Sequence, residues 1–191
     1  MTRTLLLCLL AVLCSGCERT PPQPKAQLTY LKFERVNLGL YVITYSSDMD
    51  LLNVFDRAAG DGQLATLLTC AVDGDPDFTV EHMIERTLSG VIGISGKTPG
   101  PPYIFQTLST FDLNYNEKSS SRPLPLEELS RLLRERDEIS CTVSITVFGY
   151  KAYYSNPLKI PTRDIIKEVE REPRIWIKGA GSEYLPPELK Y

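Results

Sequence analysis

The sequence has no basic excess and no second long apolar run, and these two shortages exclude whole classes of protein. Its 191 residues carry 21 Lys and Arg against 24 Asp and Glu, for a net charge of -3, and neither sign is gathered into a long block. Because phosphate neutralisation supplies most of the affinity of a nucleic-acid-binding protein, that class is disfavoured. A mean hydropathy of -0.14, with one concentrated apolar run, argues against a protein with several membrane spans.

Catalytic motifs are also scarce. The pattern GxSxG of a nucleophile elbow occurs nowhere in the chain, and His82 is the only histidine. A zinc site is disfavoured because no third soft ligand lies near either Cys70 or Cys141. We therefore expect a protein that is not an enzyme and takes no cofactor. The alternative is a small periplasmic hydrolase in which His82 acts as a general base for a serine or an acidic residue.

The distinctive feature of the sequence is its amino terminus. Arg3 precedes an apolar stretch from Leu5 to Cys14, which is followed by small residues. As a helix this stretch would cover about 15 Å, half of the hydrocarbon core that a spanning helix must cross. A basic start, a short apolar run and small residues are typical of a signal peptide, predicted here for residues 1–16. The other interpretation is a buried core helix, with an ordinary thiol at Cys17.

Ser15, Gly16 and Cys17 resemble the end of the lipobox of bacterial lipoproteins, although Cys14 stands where that family usually has Leu. The resemblance implies that the leader is removed and that Cys17 is lipidated, with a diacylglycerol on its sulfur and an acyl chain on its new amino group. Several acyl chains make such an anchor durable. Glu18 is not the Asp that retains lipoproteins in the inner membrane. The resemblance therefore implies an anchor in the outer membrane that faces the periplasm.

Two cysteines remain if Cys8 and Cys14 leave with the leader and Cys17 carries lipid. In an oxidising periplasm Cys70 and Cys141 most simply form a disulfide, and their strands are then neighbours or face each other. In the chain-entropy model, closing so long a loop is worth about 4 kcal/mol. Two buried, reduced thiols are the alternative.

Alternating apolar and polar residues dominate the rest of the chain. This period predicts a mainly β or α+β fold, an antiparallel sheet or sandwich with two to four short helices and one disulfide. Residues 17–27 form a lipidated Cys and a flexible, proline-bearing spacer; 28–178 form a single globular domain, and 179–191 a C-terminal tail. We predict strands over 28–35, 38–45, 64–72, 91–95, 103–115 and 139–147, and helices over 48–60, 79–88, 125–136 and 164–172, with a loop over 116–123. An extended loop is the alternative for 48–60.

Asp73, Asp75 and Asp77 have the alternate spacing that lets carboxylates converge on a hard cation. The calcium loop of the EF-hand would also need Gly and Glu where this chain has Phe78 and Ile84. These three residues are weak candidates for a calcium-dependent binding module, and a solvated acidic turn is the other interpretation.

Three tyrosines, Tyr150, Tyr153 and Tyr154, could supply an aromatic binding surface or lie at the edge of the core. No other binding residues are predicted. The leading hypothesis is a lipid-anchored lipoprotein that binds another protein, such as an immunity protein against a secreted toxin or an accessory part of an envelope assembly.

Overall fold

The computed structural model describes residues 19–21, 23–55, 62–94, 100–116 and 120–171. The predicted signal peptide over 1–16, Cys17 and the predicted tail over 179–191 lie outside these ranges.

Strands make up most of the described chain, as the alternating pattern predicts. Side chains of successive strand residues point to opposite faces, so a period of two gives each strand one apolar face. The strands are β1 (Leu28–Asn37), β2 (Leu40–Ser47), β3 (Gln63–Ala71), β4 (Arg86–Ile94), β5 (Tyr103–Tyr115), β6 (Ser120–Pro123), β7 (Glu138–Val147), β8 (Tyr153–Tyr154) and β9 (Leu158–Pro161). The helices within the described ranges are α1 (Leu126–Arg134) and α2 (Thr162–Val169).

The named strands pair antiparallel in one open sheet, which confirms the predicted fold class. Its order is β1-β2-β5-β4-β3-β7-β8, with β6 also paired to β5 and β9 to β7. Although β1 and β9 stand far apart in this order, they contact each other, and α2 packs against β1. The sheet is therefore strongly curled, and its inner face encloses the core.

The core follows from the alternation of apolar residues. In β7 every second side chain is buried: Ile139, Cys141, Val143, Ile145 and Val147. Helix α1 adds Leu129, Leu132 and Leu133 from its apolar stripe.

A disulfide joins the two strands at the centre of this core. Cys70 of β3 and Cys141 of β7 are directly opposite each other in the register, with a sulfur–sulfur distance of 2.05 Å. Both residues are fully buried. The predicted pairing is confirmed, and the bond closes a sequence separation of 71 residues.

The helix predicted over 79–88 is wrong. Residues 72–85 form an irregular loop, and β4 begins at Arg86. Three carboxylates in this loop each accept a hydrogen bond from the backbone N–H two residues later: Asp73 from Asp75, Asp75 from Asp77, and Asp77 from Thr79. Such side-chain turns compete with the hydrogen bonds of a helix, so they explain the irregular start of the segment.

Two further elements differ from the sequence-based expectations. Residues 51–55 form turns and bends rather than the start of a helix, and 56–60 lie outside the described chain. The predicted loop over 116–123 contains the short strand β6, because Ser120–Pro123 pairs with the end of β5.

The antiparallel order gives the sheet two distinct ends. Residues 24–27, 48–55 and 148–152 lie at one of them, which we call the amino-terminal end. The β1–β2 turn at 38–39 and helix α1 lie at the other, which we call the helical end.

Residues before β1 belong to the fold. Ala26 is fully buried, and its N–H donates to the Tyr153 hydroxyl at 2.6 Å, while that hydroxyl donates to the Pro24 carbonyl at 2.9 Å. The Asn156 N–H donates to the Ala26 carbonyl. Further upstream, the Arg19 N–H donates to the Gly149 carbonyl, and the Arg19 carbonyl accepts from Lys151. The domain therefore incorporates residues that the sequence assigned to the spacer.

Gly90 allows the tight approach of β5 to β4, so we expect Gly90→Ala to destabilise the fold. A Cβ at this position would lie 2.0 Å from the backbone oxygen of Leu108. Overpacking of this kind costs about 3 kcal/mol, because the backbone must move. Urea unfolding measures the loss. The matched control is Gly93→Ala in the same strand, where the nearest atom to a Cβ is 3.6 Å away and the side chain would face solvent. Equal stability of the two variants would contradict this role for Gly90.

The disulfide is expected to contribute to the free energy of unfolding. Replacing both Cys70 and Cys141 by Ala removes the constraint on the unfolded chain, which the chain-entropy model values at about 4 kcal/mol for a loop of this length. We expect the double variant to unfold at a markedly lower urea concentration than the oxidised protein. A midpoint unchanged by the double substitution would show that the bond adds nothing to the β3–β7 pairing.

Candidate functional site

His82 lies on the loop 72–85, close to two of the acidic residues of that loop. Its Nε2 is 2.6 Å from Oδ2 of Asp75, and its Nδ1 is 3.9 Å from Oδ2 of Asp77. The hydrogen bond with His82 is the main reason that the pKa of the Asp75 carboxyl is lowered from its ordinary value, with the backbone N–H of Asp77 next. Asp75 is therefore held in its charged form.

The loop that carries His82 is fastened to the sheet at several points. Asn114 donates through its Nδ2 to the Ile84 carbonyl at 3.0 Å, and the Tyr154 hydroxyl accepts from Val80 N–H at 2.9 Å. The Arg136 guanidinium donates to the Val72 carbonyl. These contacts hold the loop over the outer face of β3, β4 and β7.

A cavity of about 270 Å³ lies between this loop and the sheet. Its floor is formed by outward-facing hydroxyl residues, since alternate residues of three neighbouring strands point to the same face. The cavity walls include Phe78, Thr79 and His82 of the loop, and the hydroxyl residues of the floor are Thr69, Thr87, Ser89, Thr142 and Ser144. The structure thus places His82 in a cleft with serines, as the hydrolase alternative requires.

Catalysis would also need donors for a developing negative charge. Ser89 lies within β4, which pairs with β3 on one side and β5 on the other, and Ser144 lies within β7, which pairs with β3 and β8. In a strand paired on both edges the backbone N–H groups are bonded within the sheet. Ser89 and Ser144 themselves thus occupy positions paired on both edges of their strands, and an oxyanion hole would need N–H donors from elsewhere.

The three aspartates proposed for calcium have other partners. Besides the backbone N–H groups already described, Oδ2 of Asp73 lies 3.8 Å from Arg86 Nη1, and Oδ2 of Asp75 faces His82. In the part of the chain that the structure describes, no group of three His, Cys, Asp or Glu side chains could hold a metal ion. The alternate spacing of Asp73, Asp75 and Asp77 produces consecutive turns, because that spacing also suits a carboxylate and the N–H two residues later.

A second and larger concavity lies at the helical end of the sheet. This groove has a volume of about 680 Å³. Its apolar floor is buried, and it is formed by Tyr41, Phe111, Leu124, Leu129 and Val169.

Two large apolar side chains stand exposed in the lining of the groove. Leu38, in the turn between β1 and β2, is 77% exposed, and Leu126, in the first turn of α1, is 58% exposed. Neither leucine is predicted as a binding residue from the sequence pattern. Leu38 falls within the strand predicted over 38–45, and Leu126 falls within the helix predicted over 125–136. An apolar residue in a turn is the signal that could have identified Leu38.

Hydrogen bonds between charged residues hold one wall of the groove in place. Arg35 of β1 donates from Nη1 to the Arg171 carbonyl at 2.7 Å, and Arg171 donates from Nη2 to the Arg35 carbonyl at 2.8 Å. Glu168 is buried; its Oε2 accepts from the Arg35 N–H and lies 3.0 Å from Arg171 Nη2. This reciprocal arrangement joins the end of α2 to β1. Since Asp112 and Glu170 also line the groove, both signs of charge surround its apolar floor.

The tyrosines are part of the structural framework. Tyr153 is buried, and its burial raises the pKa of its hydroxyl. Tyr150 packs edge-on against Phe55 with ring centroids 5.2 Å apart. The Tyr154 hydroxyl holds the loop 72–85, as described. These contacts favour the interpretation that places them at the edge of the core.

Comparisons with known proteins identify no relative: no family model, curated protein or solved structure matches this chain. Within the described residues, neither helix has the length and apolar character needed to cross a membrane.

The pairing of His82 with Asp75 predicts an acid-sensitive loop. Because the pKa of Asp75 is lowered in the folded protein, its charged form stabilises the fold above its ordinary pKa, and this contribution is lost as pH falls below that value. We expect His82→Gln to raise the pKa of Asp75 and to flatten this acid-dependent loss of stability. Carbon NMR titration of the Asp75 carboxyl measures the change, and Glu81→Gln is the control. An unchanged Asp75 pKa in His82→Gln would contradict the assignment.

Proposed function

We propose that this protein is a lipid-anchored lipoprotein of the bacterial outer membrane, faces the periplasm, and binds another protein through the groove at the helical end. The anchor is the lipid on Cys17 that the lipobox resemblance implies. The disulfide supports a location outside the cytosol, since such bonds persist mainly in oxidising compartments.

The exposure of Leu38 and Leu126 in the lining of an apolar groove is the observation that carries the binding function. Isolated apolar residues on a surface need no explanation, but a concave apolar floor with exposed leucines in its lining is typical of an interaction site. A partner that inserts an apolar side chain would remove both leucines from water. Such buried anchors supply most of the binding energy in protein interfaces.

The charges around the groove suit selective binding. Arg35, Arg171, Glu170 and Asp112 all line the groove, so its lining offers charges of both signs. A partner must therefore present an apolar residue flanked by complementary charges. Electrostatic matching of this type adds specificity more than affinity.

The position of the groove also fits an anchored binding protein. Arg19, which follows Cys17 by two residues, is hydrogen bonded at the amino-terminal end of the sheet, whereas the groove lies at the helical end. A lipid at Cys17 would then leave the groove directed away from the membrane. An immunity protein or an accessory subunit of an envelope assembly would use such an arrangement.

The groove is tested by site-specific photo-crosslinking in cells that make the native protein. We expect a photoreactive amino acid at Leu38 to give a discrete protein adduct, and the same residue at Val91 to give none. Val91 is the matched control because it is 68% exposed but lies on the open face of β4. Adding Leu126→Asp should reduce the Leu38 adduct about tenfold, which is the effect of losing about 1.4 kcal/mol of binding. An adduct at Val91 but not at Leu38 would contradict the proposed surface.

A hydrolase is the second candidate function. The hydrogen bond between His82 and Asp75, on the wall of a cavity lined by serines, favours it. Purified protein assayed with aryl esters would show turnover that His82→Gln abolishes if this candidate is correct. Under the binding function we expect the wild-type protein and the His82→Gln variant to give the same background rate.

A further inference from the structure

We propose that the turn between β7 and β8, residues 147–151, together with Leu64, forms a membrane-contact edge that inserts Phe148 into the interface of a phospholipid bilayer. This inference rests on the proposed lipid anchor at Cys17 and adds a second contact between the protein and the membrane. The edge would set the orientation of the domain relative to the bilayer.

Phe148 is the most exposed large apolar residue of the described chain, with 88% of its surface accessible. It occupies a tight turn in which the Tyr150 N–H approaches the Val147 carbonyl and Gly149 adopts a φ of +77°. A side chain at Gly149 would be strained in that conformation. The turn therefore presents Phe148 outward.

Leu64 is a second exposed large apolar residue at this end of the sheet. The preceding residue, Gln63, pairs with Val147, so Leu64 and Phe148 lie at the same end of neighbouring strands. Leu64 is 72% exposed. The amino-terminal end of the sheet thus carries two exposed large apolar side chains.

The chain connects this edge directly to the proposed lipid. Arg19 is hydrogen bonded through its N–H to Gly149 and through its carbonyl to Lys151. Cys17 precedes Arg19 by two residues, and two residues of extended chain span at most about 7 Å. A lipidated Cys17 must therefore hold the turn close to the headgroups, where an exposed phenylalanine meets the acyl boundary.

Charges near the turn favour a phospholipid surface. Arg19 and Lys151 flank Phe148, and both side chains are exposed. Of the described carboxylates, Asp48 and Asp50 lie at this end of the sheet, on the segment after β2, where Asp48 accepts from the Gln27 N–H and Asp50 accepts from the Leu52 N–H. Cations beside an aromatic residue are the usual composition of a surface that binds at a membrane interface.

Depth-dependent fluorescence quenching tests this edge. Phe148→Trp and the matched control Leu38→Trp are introduced into a Trp176→Phe background, and the full chain is processed in cells before purification. Each protein is mixed with vesicles of phosphatidylcholine and phosphatidylglycerol that carry bromine on their acyl chains. We expect loss of emission and a shift to shorter wavelength for the indole at position 148, with no change at position 38. Both sites are exposed, so urea unfolding should be unchanged by either substitution.

The mass of the amino-terminal peptide tests the anchor separately. If Cys17 carries lipid and the indole at position 148 is not quenched, the membrane-contact edge is wrong while the anchor stands. Quenching at position 148 without lipid on Cys17 would support the edge and overturn the anchor. Absence of both lipid and quenching, or equal quenching at positions 148 and 38, would also overturn the edge.

Discussion

The pairing of β3 with β7 is the contact on which the rest of the structure depends. It joins segments far apart in the chain, and its centre is the buried disulfide between Cys70 and Cys141. On its other edge β7 pairs with β8 and β9. In the turn after β7, the Gly149 carbonyl accepts a hydrogen bond from the Arg19 N–H. In β8, the Tyr153 hydroxyl accepts one from the Ala26 N–H. Strand β7 and its neighbours therefore position both the buried core and the described residues that precede β1.

This arrangement separates the two candidate surfaces. The amino-terminal end of the sheet carries Phe148, Leu64 and the hydrogen bonds to Arg19, whereas the helical end carries the groove with Leu38 and Leu126. The hydrogen-bonded strands of one sheet connect the two surfaces, so the sheet fixes their relative positions. In our proposal, one end of the sheet meets the membrane and the other meets a protein.

Much of this fold could be predicted from local pattern. The alternation over 139–147 predicted β7 and the pattern over 125–136 predicted α1, because both signals reflect burial on one face. The count of cysteines predicted the disulfide, because Cys70 and Cys141 are the two that remain after the leader and the lipidated Cys17. The helix predicted over 79–88 is wrong because an Asp before an apolar stretch indicates both a helix cap and a turn. The hydrogen bonds of the three aspartates, made in the folded loop, decide between the two.

The candidate surfaces could not be predicted from the sequence. The groove combines residues from β1, β5, α1 and α2, and no short pattern brings together residues that are adjacent only after folding. His82 and Asp75 were each singled out from the sequence, but their pairing depends on how the loop is folded. The polar, proline-bearing segment before Leu28 was predicted to be a spacer. Its attachment to the sheet depends on Tyr153, more than a hundred residues later.

Native-state hydrogen exchange tests that attachment most directly. If the segment is part of the sheet, the Ala26 and Lys151 amides will exchange nearly as slowly as the buried amide of Val143. Exchange of Ala26 and Lys151 at the rate of an unstructured peptide would contradict the account.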